Sequence, residues 1–137
     1  MSHPTWLTLF ALAVLILGGF VGGGHLPKPF RNRSCQGSSW RSAFPSASKY
    51  QIREFLSLFV CAFAFNESER LKLKPSDSML AIYRAVYSRP WQQADALEFE
   101  TLSEDFEKRY RVKVEDIWRN DLTLGELFSY ALAARAA

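Results

Sequence analysis

The 137 residues suffice for one small domain with attachments, and an apolar content of 48% fits a globular chain rather than a disordered one. Charge is uneven: residues 1–53 hold six bases and no acid, whereas residues 54–137 hold 11 bases and 14 acids, so the formal +3 describes one basic segment and does not point to nucleic acid. Cys35 and Cys61 lack metal-ligand spacing, the only histidines are His3 and His25, and neither a Gly-rich phosphate loop nor a nucleophile elbow is present, which excludes a zinc site and most enzyme classes.

Residues 5–24 (TWLTLFALAVLILGGFVGGG) contain no charge and at 1.5 Å per residue would reach across a bilayer's hydrocarbon, roughly 30 Å. We read residues 1–24 as a transmembrane anchor. A cleaved signal peptide would want Lys or Arg before the apolar run and an A-x-A arrangement after it, and neither occurs. All the nearby bases follow the run, so the C-terminal body is expected to face the cytosol from the plasma (inner) membrane, as a single-pass protein. A reducing cytosol fits unpaired cysteines, although counting alone leaves one disulfide open. Cys61, within an apolar run, reads as a small core residue.

Residues 25–47 carry three prolines, several serines and Gly37, and read as a basic juxtamembrane linker with little structure of its own. Two readings of its Phe30, Trp40 and Phe44 stand: they lie at a lipid interface, or they dock on the domain. The domain proper is taken as residues 48–137. Ser48-Lys49-Tyr50-Gln51 has the capping-box form and predicts a helix over 49–65. Its apolar positions, from Ile52 to Phe63 with Leu58, Cys61, Ala62 and Phe65, cover almost the whole circumference. Pro75 and Ser76 announce an amphipathic helix over 77–87, which Ser88-Arg89-Pro90 stops. Asp95 opens a third helix, with Phe99, Leu102, Phe106 and Tyr110 as its core stripe. Val112 to Trp118 supplies a connector with a single helical turn. A second capping box, Thr123-Leu124-Gly125-Glu126, starts a last helix over 123–134.

From Asp95 onward the sequence resembles the acyl carrier protein family. An Asp-Ser-Leu triplet opens that family's acidic second helix; here Asp95, Ala96 and Leu97 occupy the triplet, Tyr110 the closing aromatic and Val114 the β-branched position four residues later. Glu115 to Trp118 and the Thr-led segment 123–127 match the short third helix and the final helix. The likeness covers roughly 40 residues; the helix over 77–87 departs from it, being longer than the usual first loop provides. It implies a small acyl-carrier-like four-helix bundle, which with the apolar run at residues 5–24 gives the expected fold: all-α, an N-terminal transmembrane helix followed by that bundle.

Ala96 stands where the family carries its modified serine. Attachment of phosphopantetheine needs a hydroxyl to attack the pyrophosphate of coenzyme A, and a methyl group has no lone pair. Ser103 lies seven residues, about 10 Å, further along the helix. No catalytic residue, cofactor or metal is therefore expected. Asp95 to Glu107 holds six acids and no base, and a 100° step turns Leu97, Glu100, Glu104 and Glu107 outward when the core stripe faces in. These four are the candidate partner-binding residues; the same charges also suit a plain solvated face. The expected function is that of a non-catalytic single-pass membrane protein, anchored through residues 5–24. Its cytosolic domain docks on a protein with a basic surface, as an adaptor or accessory subunit. The alternative is a membrane-tethered participant in acyl or lipid metabolism that binds an acyl chain or an acyl-processing enzyme.

Overall fold

The computed structural model describes residues 24–86 and 97–136, and at 97 and 98 the backbone alone. Among the described residues seven α-helices follow one another: α1 Lys28–Arg31, α2 Gly37–Ala43, α3 Lys49–Ala62, α4 Met79–Val86, α5 Leu97–Tyr110, α6 Val114–Ile117 and α7 Leu124–Ala136, with a 3₁₀ segment Glu67–Lys72 between α3 and α4. Pairing of extended backbone among the described residues is confined to two isolated bridges, Gly24 with Phe65 and Ser78 with Thr123.

Helix α3 starts as its sequence dictates. The Ser48 hydroxyl accepts from the Gln51 N–H, and the Gln51 side chain accepts from the Ser48 N–H, which satisfies two donors at the helix start. It ends three residues earlier than the apolar pattern predicts. Ala64 adopts a left-handed conformation (φ 55°), the Phe65 N–H reaches back to the Val60 carbonyl at 2.8 Å, and the Ala64 N–H reaches Cys61 at 3.1 Å. This six-to-one and five-to-two pairing is a Schellman stop, built here without the usual glycine. Because the helix stops, Phe65 is buried from the following turn rather than from the helix itself.

The core is aromatic. Phe55 and Phe59 of α3, Phe106 of α5 and Phe128 of α7 are at most 1% exposed, with Leu102, Leu124, Leu127, Met79 and Ile82 around them. Phe55 meets Phe106 edge-on at 6.3 Å and Phe128 at 5.1 Å, which locks α3, α5 and α7 together. Two loops pair where α4 and α7 begin. The Met79 N–H donates to Leu122, the Leu124 N–H to Asp77, and the Gly125 N–H to Pro75 at 2.8 Å. A side chain on Gly125 would put Cβ 3.0 Å from the Pro75 carbonyl oxygen, a contact tight enough that the Pro75 loop would have to yield by a few tenths of an ångström, so this approach favours glycine.

Residues 25–47 are not a linker. They carry α1 and α2, bury Leu26, Phe30 and Trp40, and are sewn to the chain between 65 and 77. The Gln36 N–H donates to Leu71 at 2.6 Å, the Trp40 indole to Leu73 at 2.8 Å, and Lys72 Nζ to the Arg31 carbonyl at 2.7 Å. Trp40 is fully buried, stacked on Phe44 and edge-on to Phe128. The aromatics therefore dock on the domain. Prolines and serines interrupt the periodicity here, but the burial comes from single large side chains and needs no long helix.

Two buried carboxylates hold this segment. Glu69, 7% exposed, accepts from the Leu26 N–H at 2.7 Å and from His25 Nδ1 at 3.0 Å. Asp77, 8% exposed, accepts from Arg33 and from the Lys74 N–H, both at 2.7 Å. Burial pushes the Glu69 carboxyl up, but the Leu26 N–H, the His25 bond and charge, and the Lys72 ammonium outweigh it and hold the group below the ordinary carboxylate range.

The expected architecture, with its transmembrane helix, is corrected. No helix among the described residues is long and apolar enough to cross a membrane. Most of the apolar stretch 5–24 lies outside the described residues. Its last residue, Gly24, is not helical: its N–H donates to Ala64 at 2.7 Å and its carbonyl accepts from Asn66 at 2.8 Å, so the stretch ends in a bridge to the domain. Cys61 is corrected too. It is exposed, because the apolar circumference of α3 is wider than the buried face that its neighbours cover. Both thiols are free.

Candidate functional site

Helix α5 turns Leu102, Phe106 and Tyr110 into the core, where they are at most 4% exposed. The same 100° step that buries them places Glu100, Glu104 and Glu107 outward, and all three are exposed. Leu97 opens the helix, its side chain outside the description, as is the whole of Ala96. The structure thus brings Glu100, Glu104 and Glu107 to one face and describes no side-chain position for Leu97.

The first described side chain of α5, Phe99, is half-buried and sits at a junction. It meets Trp118 edge-on at 4.7 Å, Tyr83 at 5.9 Å and Phe63 at 6.5 Å. Beside it, Phe99, Ser103, Val114, Glu115 and Trp118 line an open groove of about 570 Å³ between α5 and α6. The groove has an apolar floor, and Glu115 on its wall adds to the negative charge of the α5 face. The sequence contained its signal in Val114 and Trp118, but only as a connector; that the connector faces Phe99 required the fold.

The acidic face has a basic limit. Lys108 and Arg111 share a shallow depression with Glu104 and Glu107, so the negative surface ends within the last turn of α5. Arg109 turns away and pairs with Glu54 of α3, which Arg135 of α7 also approaches at 3.4 Å. Arg135 lies 5.5 Å over the Tyr110 ring. Among the described residues the buried Tyr110 hydroxyl has no hydrogen-bond partner; burial pushes its pKa above the ordinary tyrosine value, against the opposing pull of Arg135 and Arg109. It is a neutral phenol at physiological pH and no base.

Nucleophilic chemistry finds little here. Partial burial, with Glu67 and Asp105 nearby, pushes the Cys61 thiol up and keeps it protonated. Among the described residues no three His, Cys, Asp or Glu side chains are placed to hold a metal ion. What the described surface offers is a row of carboxylates next to an apolar groove. No known protein family, curated protein or solved structure matches this chain.

Proposed function

We propose that the chain is a non-catalytic docking module of acyl-carrier type, which holds a protein partner with a basic surface against α5 and the groove beside it. The observation that carries this reading is the separation of α5 into a fully buried apolar stripe and an exposed row formed by Glu100, Glu104 and Glu107. The carboxylates steer and orient the partner, and an apolar partner side chain enters between Phe99, Val114 and Trp118. Ala96 supports a docking role without a cargo arm, because that side chain offers no oxygen for phosphopantetheine.

The test uses a carbodiimide, which couples carboxylates to lysines, applied to native cells. Crosslinks to one partner should concentrate on Glu100, Glu104 and Glu107. Glu100→Lys with Glu104→Lys should weaken that association about tenfold, equivalent to roughly 1.4 kcal/mol. Undiminished crosslinking in the double variant would reject the face. Intact-mass measurement after coexpression with a phosphopantetheinyl transferase should show no added arm, and a gain of one phosphopantetheine would overturn the reading of Ala96.

A further inference from the structure

The basic stretch noted in the sequence is divided by the fold into two sets. Arg33 is committed to Asp77 and covers the Phe30 ring at 4.7 Å. Arg41 of α2 and Lys49 and Arg53 of α3 instead line one cavity of about 410 Å³, open to solvent, with Cys35 on its wall and the apolar Ile52 and Leu71 beneath. No carboxylate among the described residues lines this cavity. Among the described residues, none of the ion pairs uses Arg41, Lys49 or Arg53.

The nearby Glu67, which lines an adjoining pocket with Arg53, is paired with Arg70. Three cations gathered around one cavity repel one another. Lys49 and Arg53 do so from neighbouring positions four apart on one helix. A bound anion reverses the sign of that interaction. Two guanidinium forks match the oxygens of a phosphate in a planar, two-pronged way, and the lysine adds a compact point charge. A dianionic phosphate suits three cations better than a single carboxylate does. The apolar Ile52 and Leu71 beneath suit the organic part of an ester.

We propose that the cavity bounded by Arg41, Lys49 and Arg53 is a binding site for a phosphate monoester. The site is independent of the acidic face on α5 and shares no residue with it.

Cys35 provides the readout, since its thiol lines the same cavity. In the full chain carrying Cys61→Ser, the rate of Cys35 alkylation by iodoacetamide is measured at fixed ionic strength, with phenyl phosphate, with phosphatidic acid vesicles or with phosphatidylcholine vesicles. An occupied site slows alkylation about fivefold at roughly 80% occupancy, both by blocking approach and by placing negative charge beside the thiol. Slowing by phenyl phosphate assigns a soluble ester; slowing by phosphatidic acid vesicles alone assigns a lipid headgroup. Arg41→Gln with Arg53→Gln should abolish the effect, whereas Arg84→Gln, an exposed arginine on α4, should leave it intact. If neither phosphate source slows the reaction, or the double variant remains fully protected, the site does not exist. Amide shifts in the unsubstituted, ¹⁵N-labelled chain give a check free of any variant: phenyl phosphate should move residues 35, 41, 49 and 53, and shifts confined to other residues would count against the proposal.

Discussion

Helix α5 and the segment 24–44 each bury two aromatic side chains, Phe106 and Tyr110 against Phe30 and Trp40, by opposite means. In α5 the chain repeats an apolar residue every third or fourth position over 14 residues, and regular helix geometry does the rest. In the segment, Leu26, Phe30 and Trp40 stand far apart among prolines and serines, and two of them are carried to the core by a polar stitch: Leu26 by Glu69, Trp40 by the Leu73 carbonyl. Phe106 and Trp40 are nonetheless equally inaccessible, each at 0% exposure. Burial therefore follows from how backbone donors and acceptors are satisfied as much as from pattern.

The largest effect that could break this equivalence is at Trp40. Trp40→Ala and Phe106→Ala should each destabilise the fold by about 3–5 kcal/mol, measured by chemical denaturation. A flexible tether would respond to the tryptophan change by less than about 0.5 kcal/mol, and such a result would return residues 25–47 to the status of a linker.

Glu69 sharpens the comparison, because α5 has no buried carboxylate of this kind among its described side chains. Glu69→Ala leaves the buried Leu26 N–H without an acceptor and should cost about 1–3 kcal/mol. The pH dependence has a definite sign. The folded carboxyl titrates below its unfolded value, so its contribution is complete above the ordinary carboxylate pKa of about 4.3 and is lost as pH falls through the lower folded value. Glu69→Gln retains an oxygen for Leu26 and should flatten the acid limb of the stability curve. An unchanged acid limb in that variant would mean that the ion pair with His25 and the bond to Leu26 do not set it.

The cap at Ser48 and Gln51, the stripe Leu102, Phe106 and Tyr110, and the Thr123 hydroxyl accepting from Glu126 at 3.2 Å were legible in the sequence, because each is a local code within four residues. The outward set Glu100, Glu104 and Glu107 was legible for the same reason. The groove was not, since Phe99 and Trp118 are brought together by a turn whose direction no local pattern encodes. Nor was the gathering of Arg41, Lys49 and Arg53, which depends on α2 docking on α3. Cys61 was misread because an apolar neighbourhood in sequence does not say how much of a helix its neighbours cover.

A smaller effect separates the polar ties of the two regions. Glu54, with Arg109 and Arg135, joins α3 to α5 and α7 near the surface, while Glu69 works in the interior. Glu54→Ala should cost at most about 1 kcal/mol, and 1 M salt should erase most of that difference, since the arginines are partly exposed. The Glu69→Ala loss should persist in the same salt. Equal salt sensitivity at the two positions would deny the distinction.

The smallest effect on stability is expected on the acidic face, and its smallness is what gives the binding experiment its meaning. Glu100→Lys with Glu104→Lys removes one favourable register, Glu104 four residues before Lys108, at a cost of about 0.5 kcal/mol. Replacing Glu100 in the second turn also sacrifices some attraction to the positive end of the helix, and two lysines four apart repel as the two glutamates did, but a lysine at position 104 gains an attraction to Glu107 three residues on in place of a repulsion. These terms nearly cancel, so the denaturation midpoint should hardly move while the partner is lost. If the midpoint instead falls as far as it does for Trp40→Ala, the carboxylates belong to the fold's own structure, and a lost partner would then report unfolding rather than a docking face.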